Sequence, residues 1–189
     1  MNQYGLIKSR YIQDCLAGSF EYLHLYQKSR KKLVILKLDF EKDLDIIEHW
    51  AMLNIMEKKS SGAKWIAWMK LRFSTGTSLV LLNGSLAKVF HCGRGVRQGD
   101  SLSPLLFVLA VDLLRSIINR AKDQGLLNLP LALHNSSDFP ILQYADNTLI
   151  FMEGCGRQLF FLKSLLNSFT TCTGLKVNFQ KSMMVPIKL

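Results

Sequence analysis

The sequence is short of acidic residues relative to basic ones. Its 189 residues contain 14 Asp and Glu against 24 Lys and Arg, which gives a formal net charge of +10. A surface with this balance attracts polyanions, nucleic acid first among them. The alternative at this point is a basic protein whose lysines only solvate its surface.

Cysteine and histidine are also few, and they are scattered along the chain. The four cysteines are Cys15, Cys92, Cys155 and Cys172. None of them has a partner at the close spacing of a zinc site, and the four histidines are equally dispersed. We therefore expect no metal site built from cysteine or histidine, and a reducing, intracellular setting.

Long apolar runs are missing as well. Residues 4–8 do not form the sustained apolar segment of a secretory signal. The longest apolar stretch, around residues 105–114, is too short to span a bilayer and contains Asp112. These features argue against a membrane protein.

The remaining pattern is that of one globular domain in which helices alternate with strands. Helical periodicity predicts helices over residues 11–30, 44–58, 63–73, 101–122 and 156–173. Short β-rich runs predict strands over residues 33–38, 78–82, 88–92, 141–144, 148–151, 175–179 and 183–187. Asn83-Gly84 is a strong hairpin signal between two of them. The order favours a mixed α+β or α/β fold over a doubly wound nucleotide-binding fold.

Two aspartates stand at the edges of apolar strands. Asp39 ends the run 33–38, and Asp146 lies in the turn between two later strands. Each could simply be a turn former or a helix cap. If the fold placed them side by side, they could hold Mg²⁺, which prefers one or two carboxylates together with substrate phosphates. Two such ions can support phosphoryl transfer.

A glycine-rich basic loop at residues 93–100 supplies a complementary feature. Its glycines allow close backbone approach, and Arg94, Arg97 and Gln98 offer donors to a phosphate or a base. Such loops are weak evidence alone. Together with the aspartates and the positive charge, this loop favours phosphoryl chemistry on nucleic acid.

Four segments carry a specific resemblance, in order along the chain. Residues 36–45, 94–107, 144–147 and 174–182 resemble motifs A, B, C and D of reverse transcriptases from LINE-type (non-LTR) retrotransposons. The second segment, which begins Arg94-Gly95-Val96-Arg97-Gln98-Gly99-Asp100, is long and highly specific. Residues 3–5 and 11–15 resemble plant elements of this class.

The resemblance implies an α+β polymerase palm, an antiparallel sheet with packed helices, plus a remnant of the fingers. Residues 1–32 would be the fingers remnant, and residues 33–189 would be the palm with all four motifs. The rest of the fingers would precede this chain and the thumb would follow Leu189, so we expect a truncated copy. The implied activity is RNA-directed DNA polymerisation in the nucleus or the cytoplasm, on an RNA template, a DNA primer and deoxynucleoside triphosphates.

The resemblance also assigns roles to individual residues. Two Mg²⁺ or Mn²⁺ ions would bind at Asp39, Asp146 and Asn147, with help from the Phe40 carbonyl. Lys181 would be a general acid for the leaving pyrophosphate. The nucleotide and template pocket would be lined by Leu44, Arg97, Gln98 and Gly99.

The sequence departs from the family pattern at several positions. Asn147 stands where motif C has a second aspartate, so the site loses a negative charge that would offset the metal ions. Ser101 replaces a proline of motif B, which is a mild change, because Asp100 or Ser101 can cap the helix that follows. Asp43-Leu44 replaces Ala-Phe in motif A. Two interpretations therefore stay open, an impaired polymerase domain and a non-catalytic retrotransposon remnant that at most binds nucleic acid.

Leu44 gives the first testable prediction. An aromatic ring at this position normally excludes the 2′-hydroxyl of a ribonucleotide, so we expect Leu44→Phe to raise the preference for deoxynucleotides by roughly ten-fold or more. Primer extension with matched deoxynucleotides and ribonucleotides measures this preference. Unchanged selectivity would contradict the role of position 44.

Overall fold

A four-stranded antiparallel sheet organises the chain. The structure is a computed structural model that describes residues 4–5, 7, 9–29, 31–41, 45–97, 99–131 and 138–187. Within that part of the chain, the helices are α1 (Ile12–Ser29), α2 (His49–Lys58), α3 (Ala63–Ser74), α4 (Ser103–Asp123) and α5 (Gly156–Thr173). The strands are β1 (Leu33–Leu38), β2 (Phe40–Glu41), β3 (Thr77–Ser78), β4 (Leu81–Leu82), β5 (Ser85–Leu86), β6 (Phe90–His91), β7 (Ile141–Tyr144), β8 (Asn147–Glu153), β9 (Lys176–Val177) and β10 (Met183–Ile187).

The main sheet has the strand order β10-β1-β8-β7, so the first strand in sequence lies between two late ones. Strand β1 pairs with β8 from Leu33 opposite Glu153 to Leu38 opposite Thr148. It pairs with β10 on its other side. This topology joins distant parts of the chain and confirms the predicted antiparallel palm sheet of an α+β fold.

The two faces of the sheet bury different helices, because side chains alternate along β1. Val34 and Leu38 point into the main core with α4 and α5, and Leu36 packs against it. Leu33 belongs to a second cluster with Tyr22 and Tyr26 of α1. Helix α1 thus packs directly on the sheet, while the boundary between fingers and palm at residue 32 stays a prediction.

The second cluster is aromatic. The centroid of the Tyr22 ring lies 5.1 Å from the centroid of the Phe151 ring on β8. Tyr26 is almost completely buried, and this burial is the main reason why its pKa rises to about 12. The phenol therefore stays neutral over the physiological pH range.

Most predicted elements are confirmed, and α2 is the main correction. The pattern predicted a helix from residue 44, but α2 begins at His49. Glu48 instead forms an isolated bridge with Arg94, and its N–H donates to the Thr173 carbonyl at 2.9 Å. These tertiary contacts hold residue 48 in an extended conformation.

Among the described helices, none is long and apolar enough to cross a membrane.

The Asn83-Gly84 hairpin is confirmed, although its strands are shorter than predicted. Asn83 and Gly84 both have positive φ, at 48° and 81°, as a tight hairpin turn requires. Strand β4 pairs with β5 next to the turn, and β3 pairs with β6 at the base. The residues from Thr77 to Phe90 are exposed throughout.

Gly174 provides a stability prediction. It ends α5 with φ at +80°, and a Cβ at this position would collide with the Ile46 carbonyl oxygen. We expect Gly174→Ala to lower the free energy of unfolding by about 1 kcal/mol or more. Urea unfolding measures the change.

Gly18 is the matched control, because it lies inside α1 with open space around its Cα. Gly18→Ala should raise the free energy of unfolding by about 0.5–1 kcal/mol, since alanine is the better helix former. Equal effects of the two substitutions would contradict the steric explanation.

Candidate active site and motif B loop

The register of β1 and β8 brings the two predicted aspartates to one end of the sheet. Asp39 follows directly after Leu38, which pairs with Thr148. Asp146 lies in the turn between β7 and β8, where Tyr144 pairs with Asn147. Since β1 and β8 are adjacent and antiparallel, the end of one lies beside the start of the other. Asp39 is half-buried and Asp146 is exposed.

The turn that carries Asp146 is under conformational constraint. Ala145 has φ at 49°, a left-handed conformation that is uncommon for alanine. The N-terminal segment packs beside this turn, because the Tyr4 N–H donates to the Gln143 carbonyl at 2.8 Å. A Cβ on Gly5 would collide with the Ala145 nitrogen. The start of the chain therefore helps to hold the strand that leads to Asp146.

The motif D segment encloses Asp39 from the other side. The Asn178 N–H donates to the Asp39 carbonyl at 2.8 Å, and the Asp39 N–H donates to the Ser182 Oγ at 3.1 Å. Lys181 lies in the same turn, where its N–H donates to the Asn178 Oδ1 at 3.2 Å and its side chain is exposed. The structure thus places Lys181 in the turn that holds Asp39.

The Phe40 carbonyl is not used by the pairing of β2 with β9. Phe40 stands opposite Val177, and the neighbouring hydrogen bond is accepted by the Asp39 carbonyl. In an antiparallel pair this makes Phe40–Val177 a non-hydrogen-bonded position. The carbonyl that the resemblance assigned to a metal ion is therefore not taken up by β9.

Asn147 offers a hydrogen-bond donor to Asp146, whereas an aspartate at this position would offer only acceptors. Its side-chain nitrogen donates to the Asp146 Oδ1 at 2.9 Å. In this orientation the amide stabilises the Asp146 carboxylate with a donor, where a second carboxylate would add negative charge. No group of three or more His, Cys, Asp and Glu that could hold a metal ion occurs among the described residues.

The motif B loop forms one wall of a separate cleft of about 740 Å³. Arg94 and Arg97 line this cleft, as does Asp45, the last residue of motif A. Asp39, Asp146 and Lys181 do not line it. Gly99 is exposed with φ at +81°. Of the other predicted pocket residues, Leu44 and Gln98 lie outside the described residues.

The start of the motif B helix corrects the predicted capping. Asp100 or Ser101 was expected to cap the helix, but α4 begins at Ser103 with Leu102 at the N-cap position. Asp100 accepts a hydrogen bond from the Leu102 N–H at 3.1 Å and forms an ion pair with Arg72 of α3. Its carboxylate therefore ties the loop to α3.

His49 is a residue that the sequence analysis missed. Its Nε2 lies 2.6 Å from the Gly95 carbonyl oxygen, which can only accept, so Nε2 carries the proton. The imidazole ring stacks on Phe73 of α3, with centroids 4.2 Å apart and planes 3° apart. One side chain thus joins α2, α3 and the motif B loop. A histidine at the start of an amphipathic helix gave no signal of this role.

Gly95 allows this close approach of the loop. Its φ is +80°, and a Cβ at this position would collide with the Asp45 carbonyl oxygen. Its N–H donates to the Ile47 carbonyl at 2.8 Å. The end of motif A with the residues just after it and the loop of motif B are therefore fixed to each other at one glycine.

The contacts of His49 lead to a prediction about the loop. His49→Phe keeps a ring on Phe73 and removes the donor to Gly95, so the loop should open more often. A hydrogen bond contributes about 1 kcal/mol, which corresponds to roughly five-fold faster tryptic cleavage after Arg94 and Arg97. Mass spectrometry of the fragments over time measures both rates.

His49→Gln and cleavage after Lys163 are the controls for this prediction. Glutamine keeps an N–H donor, so cleavage should accelerate less than in His49→Phe. Lys163 lies on α5 and has no part in the loop. An equal increase after Lys163 would mean global destabilisation and would contradict the local role of His49.

Comparisons with known proteins agree with this architecture. The reverse transcriptase (RNA-dependent DNA polymerase) family matches residues 1–188. The uncharacterized 149 kDa protein of transposon TX1 from Xenopus laevis is 33% identical over 92 residues, which cover 49% of this chain and 7% of that protein. The Pol polyprotein of the type-2 retrotransposable element R2DM from Drosophila melanogaster is 28% identical over 163 residues, covering 85% and 14%.

The fold matches a solved structure over the whole chain. Apo telomerase from Candida tropicalis, truncated from its C-terminal domain, superposes with a TM-score of 0.68 at 17% identity, covering 100% of this chain and 36% of that one. This likeness shows the polymerase fold alone. The matched segments span only 7% and 14% of the TX1 and R2DM proteins.

The family match and the four motifs in order lead to one assignment. Both curated relatives above come from non-LTR retrotransposons, as the motifs indicated. The chain belongs to the reverse transcriptase (RNA-dependent DNA polymerase) family, as a domain of the non-LTR retrotransposon type.

Proposed function

We propose that this domain carries the palm site of an RNA-directed DNA polymerase and that its nucleotidyl transfer is severely impaired by Asn147. The observation that supports the site is the pairing of β1 with β8, which sets Asp39 beside the turn of Asp146. Two carboxylates at one sheet end match the one or two carboxylates through which Mg²⁺ usually binds beside substrate phosphates. Extension of a DNA primer on an RNA template is the corresponding reaction.

The oxygen donors of the site are of the type that divalent cations prefer, but the site has one negative charge fewer than motif C of the family provides. Oxygen donors are available from the carboxylates of Asp39 and Asp146, the Phe40 carbonyl and the Asn147 amide. These are the hard ligands that Mg²⁺ and Mn²⁺ prefer. Bound there, two ions would activate the primer hydroxyl and offset charge on the leaving pyrophosphate. With one carboxylate replaced by an amide, we expect lower occupancy of the ions.

Other residues of the chain have roles in substrate binding and proton transfer under this proposal. Lys181 would donate a proton to the pyrophosphate oxygen that leaves as the new bond forms. Its position in the turn around Asp39 supports this role. Arg97, Gln98 and Gly99 would contact the incoming nucleotide and the template, and Leu44 would lie against the sugar. Arg97 lines the cleft beside motif A, which supports its part in this set.

A second candidate function is nucleic-acid binding without catalysis. The observation in its favour is the hydrogen bond from the Asn147 amide to the Asp146 carboxylate, which occupies one oxygen of a metal ligand. The net charge of +10 would then act on nucleic acid through phosphates alone. Such binding weakens steeply as salt rises. We place either function inside the cell, in the nucleus or the cytoplasm.

Asn147→Asp separates the two functions. The substitution restores the missing charge at nearly constant shape, so we expect primer extension with Mg²⁺ or Mn²⁺ to rise by about ten-fold or more, equivalent to at least about 1.4 kcal/mol in the barrier. Extension on an RNA template is measured for both proteins, with Asp146→Ala as the blank. Equal rates would sink the proposed effect of Asn147. No extension by either protein would favour the non-catalytic function.

A further inference from the structure

The three tryptophans of the sequence all lie on α2 and α3, and all three are exposed. Trp50 is the second residue of α2 with 54% of its surface accessible, while Trp65 and Trp68 on α3 are 40% and 57% accessible. Tryptophan is a large apolar side chain that proteins usually cover. Three exposed indoles on two neighbouring helices therefore mark a surface with a ligand or a partner.

Helix α3 divides cleanly into a core face and an outer face. Met69 and Phe73 are buried in the main core. Trp65 and Trp68 are three residues apart, which makes them neighbours on the helix surface. The outer face of α3, defined by Trp65, Trp68 and Lys64, thus presents two adjacent indoles to solvent.

The charge of these helices selects the kind of partner. Helix α3 contains Lys64, Lys70 and Arg72 and no acidic residue. The Lys64 ammonium lies 5.2 Å from the centroid of the Trp68 ring, so it covers the indole with a positive charge. Lys70 forms an ion pair with Glu57 of α2 at 3.4 Å. With Lys58 of α2 and Lys59 directly after it, residues 49–74 contain five basic residues against one acidic residue.

The C-terminal end of α3 reaches the cleft of the motif B loop. Arg72, in the last turn of α3, lines that cleft together with Arg94 and Arg97. A strand that passes through the cleft would therefore reach the C-terminal end of α3. From there the indoles lie toward the start of the same helix.

We propose that the outer face of α3 binds the unpaired RNA template by stacking its bases on Trp65 and Trp68. Exposed aromatic rings flanked by basic side chains are how single strands are bound without sequence preference, because every base offers a flat π-face. A purely apolar protein partner would not require the Lys64 ammonium beside the Trp68 indole. The identity of the strand as template rests on the proposed function, whereas stacking on the indoles does not require catalysis.

The experiment uses the full chain and a 12-nucleotide RNA of mixed sequence, in EDTA so that no metal-dependent step occurs. Two of the three tryptophans lie on the outer face of α3 and the third lies on α2, so tryptophan fluorescence reports from these two helices. We expect the single strand to quench the fluorescence, and the same RNA annealed to its complement to quench it much less. Anisotropy of labelled RNA gives the affinity independently of the tryptophan signal.

The double substitution Trp65→Leu with Trp68→Leu tests the two indoles. We expect it to weaken binding of the single strand by about ten-fold or more. Phe160→Leu is the matched control, because Phe160 is an aromatic residue on α5 that is 74% exposed. It should leave the affinity unchanged. The urea midpoints of all variants confirm that they fold, since none of the three side chains is buried.

Several results would overturn the proposal. These are an absence of quenching, equal quenching by the duplex, unchanged affinity of the double variant, or an equal loss in Phe160→Leu. Failure of the proposed polymerase is distinguishable, because primer extension could be absent while stacking of single-stranded RNA is retained. Conversely, extension by a double variant with unchanged RNA affinity would remove the stacking surface and leave the polymerase site intact.

Discussion

The antiparallel pairing of β1 with β8 is the constraint on which the site depends. Asp39 and Asp146 are far apart in sequence, and only this register sets one beside the other. Side chains alternate along a strand, so a slip of one residue would turn Val34, Leu36 and Leu38 away from the main core. The apolar pattern that stabilises the sheet therefore also fixes the position of the carboxylates. The packing of the core and the placement of the two aspartates therefore depend on the same strand register.

A second set of contacts fixes the motif B loop, and it relies on backbone approach more than on side-chain packing. Gly95 lies against the Asp45 carbonyl, and Gly174 lies against that of Ile46. Both glycines adopt positive φ, and each brings its backbone close to a carbonyl of residue 45 or 46. His49 adds a hydrogen bond and a ring contact to the first of them. This arrangement explains why α2 begins later than its sequence periodicity suggests.

The fold and the chemistry are separable at Asn147. An asparagine occupies almost the same volume as an aspartate and fits β8 in the same way, so the substitution does not alter the sheet. It does alter the electrostatics of the site, because an amide supplies a donor and no charge to the Asp146 carboxylate. The fold is therefore independent of the charge at position 147, whereas the proposed activity depends on it. The proposed stacking on the indoles of α3 likewise does not involve the side chain of Asn147.

Local pattern determined a large part of this protein: the strand before Asp39, the Asn83-Gly84 turn, the long motif B helix and the four motifs that identify the family. Hydrophobic period and turn chemistry are properties of neighbouring residues, so the sequence carries them directly. Other features depend on residues that are distant along the chain. These are the contacts of His49, the hydrogen bond from Asp39 to Ser182 and the observed start of α2. No local pattern encodes such contacts. Only the tertiary structure decided them, because burial and backbone approach fix which distant groups meet.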